Sequence, residues 1–102
     1  MKLEHYSQEK LKEEIKEIVS EYLDTEDYKV FFFGSRVTGD STERSDIDVG
    51  IEGPERIPSA VMFKIQEKTD EIPTLYKIDV VDFQTVSEDF KKVSKVKTES
   101  VI

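Results

Sequence analysis

Cysteine is absent from the 102-residue chain, so a disulfide framework, a thiolate metal site and a thiol nucleophile are all unavailable. Zinc ribbons and cysteine hydrolases drop out. Histidine occurs once, as His5, and with no second histidine a role for it in metal binding is not expected. Long apolar runs are missing too. The longest aliphatic or aromatic stretch is Val30 to Phe33, far short of a membrane span, and Met1 to Lys10 lacks the apolar segment of a secretory signal. A cytoplasmic protein with no membrane association is expected. Positive charge is scarce, with 15 Lys and Arg against 23 Asp and Glu and a net charge of -8. That is the wrong sign for wrapping phosphate backbones, so the chain is not expected to bind nucleic acid unaided.

What is present is a clustered set of apolar residues in a highly charged chain, 36% hydrophobic and 37% charged. The clustering marks a folded protein, and the length fits one domain, residues 1–102, with one core. From Ser7, Leu11, Ile15, Ile18, Val19, Tyr22 and Leu23 recur at helical spacing, with Ser7 as N-cap. The acidic, turn-prone Asp24 to Asp27 ends that helix. Tyr28 to Phe33 then forms a short β run, apolar on both faces and therefore central or covered. Gly34-Ser35 stops it, and Arg36 to Arg44 suits a short helix or turn followed by an exposed loop.

From Ser45 to Glu52, Ile47, Val49 and Ile51 alternate with Asp46, Asp48 and Gly50, the period-two pattern of a half-buried strand. A second amphipathic helix follows over Pro58 to Asp70, then a third strand over Leu75 to Phe83. Ser87 opens a last helix through Phe90 and Val93. The resulting fold class is α/β or α+β, a small mixed β-sheet packed by helices on one face.

Asp46 and Asp48 are two residues apart on one strand, so both side chains leave the same face with Cα atoms ~6.5–7 Å apart. Unpaired, two such carboxylates raise one another's pKa; divalent cations between them supply the missing charge. Oxygen ligands of this kind favour magnesium or manganese. A calcium loop would need a carboxylate where Ile57 stands, and it would expose Ile47, Val49 and Ile51, so the strand reading is preferred. A third carboxylate comes from Asp79 or Asp82, which are three apart and face opposite sides of a strand. If Ile78 and Val80 share the core face, Asp79 joins the pair, with Asp82 as the fallback.

Upstream, Gly34-Ser35 leaves the buried strand and enters a helix start, where free backbone N–H groups can receive phosphate oxygens. Ten residues separate Ser35 from Asp46. A phosphate cradle would thus lie beside a two-carboxylate site on the next strand, the layout for transfer from a nucleoside triphosphate.

The segment GSRVTGDSTERSDIDVGI, Gly34 to Ile51, resembles the Gly-Ser, ten residues, Asp-x-Asp signature of nucleotidyltransferases of the DNA polymerase β superfamily. The short length and the closing KIDVVDF and SEDFKK stretches resemble its minimal nucleotidyltransferases, single-domain proteins often encoded beside a helical HEPN-type partner. The resemblance implies that Gly34 and Ser35 hold the β- and γ-phosphates of ATP. Asp46 and Asp48 would bind two Mg2+ ions, and Asp79 would complete the site of the ion that activates the acceptor. It further implies transfer of AMP to a hydroxyl, on the HEPN-type toxin in family members that act as antitoxins. A non-catalytic antitoxin that neutralises its partner by complex formation is the competing expectation.

No second domain is present to hold the nucleobase, so a partner chain or a homodimer is expected to close the site. Arg36 and Arg44 lie near enough in sequence to assist the phosphates, although exposed loop arginines more often only solvate. Phe31, Phe32 and Phe33 are expected to pack rather than stack on bases. Lys91, Lys92, Lys95 and Lys97 mostly complement the dipole of the last helix.

Overall fold

The structure is a computed structural model that describes residues 1–42 and 44–102. Glu43, in the loop expected after the short helix, lies outside the described residues. Helix α1 runs Gln8–Tyr22. It begins where the sequence places it, because the Ser7 side chain accepts a hydrogen bond from the Lys10 N–H at 3.2 Å. Its stripe of Leu11, Ile15 and Val19 is fully buried. A tight turn follows in which the Asp24 side chain accepts from the Glu26 N–H at 2.9 Å, the local bond that makes aspartate a turn former.

Strand β1 (Lys29–Phe33), the single-turn helix α2 (Ser35–Thr38) and strand β2 (Ile47–Glu52) come next. They are followed by α3 (Ser59–Asp70), β3 (Ile78–Asp82), α4 (Glu88–Ser94) and β4 (Glu99–Ser100). The four strands form one sheet in the order β3-β2-β1-β4. β1 is antiparallel to both β2 and β4, while β2 and β3 are parallel and need α3 as their crossover.

One face of the sheet carries Val30, Phe32, Ile47, Val49, Ile51, Ile78 and Val80, which join α1 and α3 in the main core. The other face carries a smaller cluster of Phe31, Phe33 and Phe83. Phe83 meets Phe31 and Phe33 edge-on, with ring centroids 4.9 and 5.1 Å apart, the arrangement that aromatic quadrupoles favour. Gly50 makes this possible: a Cβ there would fall 2.5 Å from the Phe31 ring and 2.7 Å from Phe83. The phenylalanine run is packing on both faces, as its sequence suggests.

The structure departs from the sequence expectations at strand ends. β2 starts at Ile47 rather than Ser45, because Ser45 closes a turn in which its N–H reaches the Thr42 carbonyl at 3.1 Å. β3 starts at Ile78 rather than Leu75: the Tyr76 N–H is taken by the Thr74 hydroxyl at 3.2 Å, and Leu75 is fully exposed.

Strand β4 has no sequence signature at all. Two polar residues pair with Phe31 and Phe32, Val101 N–H reaches the Val30 carbonyl at 2.8 Å, and the Met1 amino group pairs with Glu99. Its presence makes β1 an inner strand, which accounts for the apolar residues on both its faces.

The outer edge of β3 is covered by a side chain. Gln66 of α3 donates from Nε2 to the Ile78 carbonyl at 2.8 Å and accepts at Oε1 from the Val80 N–H at 3.0 Å. Among the described residues no helix is long and apolar enough to cross a membrane.

Candidate active site

The register of the sheet sets the site. Phe33 of β1 lies opposite Asp48 of β2, and Asp48 lies beside Asp79 of β3. Residues directly opposite share a face, with neighbouring strands ~4.8 Å apart, so this row presents two carboxylates away from the main core. The next row is Phe31, Gly50 and Val81, and its aromatic packing walls the carboxylates on one side.

Where β1 leaves the sheet, Gly34 adopts φ 82° and ψ -163°, a conformation that L side chains avoid. A Cβ at this position would also collide with the Asp48 carboxylate. Glycine is therefore required twice over, by backbone geometry and by close approach. Its carbonyl accepts from the Val37 and Thr38 N–H groups at 3.0 and 3.1 Å, which winds α2. The amides of Ser35 and Arg36 precede any intrahelical acceptor. Buried Val37 fastens this turn to the core.

Gly34, Ser35, Asp48 and Asp79 all line one cleft of about 530 Å³. Asp48 is half-buried and Asp79 is exposed. Desolvation pushes the Asp48 carboxyl up to about 6, helped by the charges of Asp79 and then Asp46. Asp46 lies one residue ahead of β2; its charge is felt at Asp48, but it is not part of the cleft lining.

Among the described residues no three acidic, histidine or cysteine side chains gather tightly enough to form a ready metal cluster. What exists is an oxygen donor set with excess negative charge and one carboxyl resisting ionisation. That chemistry fits hard divalent cations such as Mg2+.

Asp82 sits elsewhere. It projects to the opposite face and is 5% exposed, and its two carboxylate oxygens accept from the Ile57 and Gln84 N–H groups, each at 2.9 Å. The odd spacing from Asp79 makes it a structural residue. Arg36 is also framework: buried, it donates from Nε to the Ser45 carbonyl at 3.0 Å and lies 4.7 Å over the Tyr76 ring. Arg44 is exposed. Lys95 is held by the Glu52 carboxylate at 2.5 and 2.6 Å, and Lys91 lies 3.6 Å from Glu88, so the basic stretch of α4 is partly neutralised.

The sequence reasoning missed the wall of the cleft formed by Val81, Phe90, Val93 and Ser94. Helix α4 buries none of its residues. A short helix with apolar residues three apart and no core stripe of its own was the available signal.

A family model described as "Polymerase beta, Nucleotidyltransferase" matches residues 7–102. A Haemophilus influenzae protein with the name "Probable protein adenylyltransferase MntA" is 34% identical over 67 residues, 66% of this chain and 59% of that protein. The chain thus spans less than two thirds of the curated relative it matches. Among solved structures, a chain of the tri-AMPylated Shewanella oneidensis HEPN toxin in complex with MNT antitoxin superposes with a TM-score of 0.72. It is 14% identical, and the match covers 94% of this chain and 72% of that one. A chain of a toxin–antitoxin complex with AMP-PNP also gives 0.72, at 15% identity over 89% of this chain and 72% of that one. At such identities the likeness is one of fold.

Proposed function

The chain belongs to the polymerase beta nucleotidyltransferase family, and from that premise we propose that it transfers AMP from ATP to a hydroxyl on a HEPN-type toxin partner, acting as its antitoxin. The observation that carries this reading is the common cleft, which holds the Gly34-Ser35 turn and the Asp48–Asp79 pair within one strand row. The relative's name, an adenylyltransferase, and the AMPylated toxin in the complex that shares the fold supply the nucleotide and the acceptor class.

In this reading residues 1–102 form one nucleotidyltransferase domain. The Gly34 turn and the Ser35 hydroxyl and amide hold the β- and γ-phosphates, at a position where a Cβ on residue 34 would block approach. Asp46, Asp48 and Asp79 hold the divalent cations, two Mg2+ ions. Bound there, the cations supply Lewis-acid polarisation of the phosphates and neutralise charge on the departing pyrophosphate. Asp79, exposed beside Asp48, would complete the site of the ion that activates the acceptor hydroxyl. The acceptor oxygen forms a bond to the α-phosphorus, the bond from that phosphorus to the bridging oxygen of the β-phosphate breaks, and pyrophosphate leaves. The hydroxyl proton passes to a carboxylate of the site or to water.

The test incubates the protein with Mg2+, α-labelled or γ-labelled ATP, and the protein that co-purifies from its native cells. Label from the α position alone on a protein band, lost in Asp46→Asn/Asp48→Asn, is the expected result. A stable complex that neutralises its partner without any transfer would replace this reading with inhibition by binding.

A further inference from the structure

Helix α4 leaves large apolar side chains partly open to solvent. Phe90 is 40% exposed and Val93 76%, yet both line the same cleft as Gly34, Ser35, Asp48 and Asp79. The Phe90 ring is not loose. It packs edge-on against Phe33, with centroids 6.0 Å apart at 79°, and against Phe83 at 5.9 Å and 61°. Those two rings are buried, so they fix the plane of Phe90 and leave part of its surface open to the cleft. Val81, on the strand row next to Asp79, continues the apolar wall.

The cleft therefore combines the polar Gly34-Ser35 turn and two carboxylates with an aromatic and aliphatic wall, and its volume of about 530 Å³ lies in the range that encloses small ligands. From this polarity we infer that Phe90, flanked by Val93 and Val81, is the platform on which the nucleobase of the bound triphosphate stacks. The inference rests on the nucleotidyl-transfer reading above. It gives the base a seat on this chain's own surface, within the cleft that holds the Gly34-Ser35 turn. A ring face and two valines offer dispersion and π contact with no hydrogen-bond code. The platform therefore strengthens binding of adenine and guanine nucleotides alike, and selectivity between them does not come from Phe90.

Calorimetric titration of the full chain with Mg-ATP, Mg-GTP and Mg-tripolyphosphate tests this. Phe90→Ala should weaken both nucleotides about tenfold and leave tripolyphosphate unchanged. Phe90→Leu, which keeps apolar packing on Phe33 and Phe83, should lose most of the same affinity with its melting temperature preserved. Equal loss of tripolyphosphate binding, or unchanged nucleotide binding in both variants, overturns the platform. So does a variant whose ATP affinity is intact while the acceptor's KM rises, because the wall would then seat the acceptor. If the wild type binds none of the three probes, the nucleotidyl-transfer reading falls and takes the platform with it.

Discussion

At Asp48 the site works against the apo fold. Burial and the charges of Asp79 and Asp46 raise its carboxyl from an ordinary 3.8 to about 6, so folding favours the protonated form. That contribution is intact below about pH 3.8 and is lost as pH rises through 6. Asp48→Asn, which imitates the protonated carboxyl, should melt with the wild type near pH 4 and above it at pH 7.5, with the gap opening between those values. Thermal unfolding across the pH series reads this directly; a constant offset at every pH would refute it. Gly34 is the other decisive residue. Gly34→Ala imposes a side chain at φ 82° against the Asp48 carboxylate and should cost about 1–3 kcal/mol of stability while abolishing Mg-ATP binding, measurable by denaturant unfolding and calorimetry. Most of this was legible in the sequence, because strand alternation fixes faces. It placed Asp79 rather than Asp82 on the side of Asp48, and the register does the same. Asp46 is where the alternation misled: it puts Asp46 on the strand beside Asp48, whereas β2 begins one residue later, because the Ser45 N–H is taken by the Thr42 carbonyl.

The elements divide into those announced locally and those made by distant partners. α1 and α4 are capped by Ser7 and Ser87, whose side chains accept from the N–H three residues on at 3.2 and 3.1 Å, and such bonds lie within a few residues of sequence. β4 is two residues long and exists because β1 has an open edge, so no periodicity could reveal it. The side on which the aromatic face of the sheet is covered was equally hidden, because α4 carries no buried stripe. At the end of β3, Asp82 ties the Ile57 backbone, in the loop between β2 and α3, to that of Gln84 from a buried position. Asp82→Ala should leave two N–H groups without their acceptor and destabilise the fold by about 2–4 kcal/mol, whereas Asp79→Ala, on an exposed carboxylate, should change stability little and remove transfer. Paired chemical denaturation and labelling experiments separate the two roles.

For the whole molecule, an acidic chain with a charge of -8 places Asp48 and Asp79 side by side in one cleft, with Asp46 near enough to push Asp48 further up; on the proposed reading a cation with a nucleotide relieves that repulsion. Mg2+ with ATP at about a hundred times its Kd should add about 2.7 kcal/mol, a rise in Tm on the order of 10 °C for a domain this size, reversed by a chelator and absent in Asp46→Asn/Asp48→Asn. Differential scanning calorimetry of the four samples checks it. Gln66 carries a different consequence. Its amide occupies one outward acceptor and one outward donor of β3, the Ile78 carbonyl and the Val80 N–H, and at the far side the sheet ends in a two-residue strand. An added strand would find the start of β3 already taken and only two residues of β4 to pair with, short margins of the kind that discourage edge-to-edge pairing.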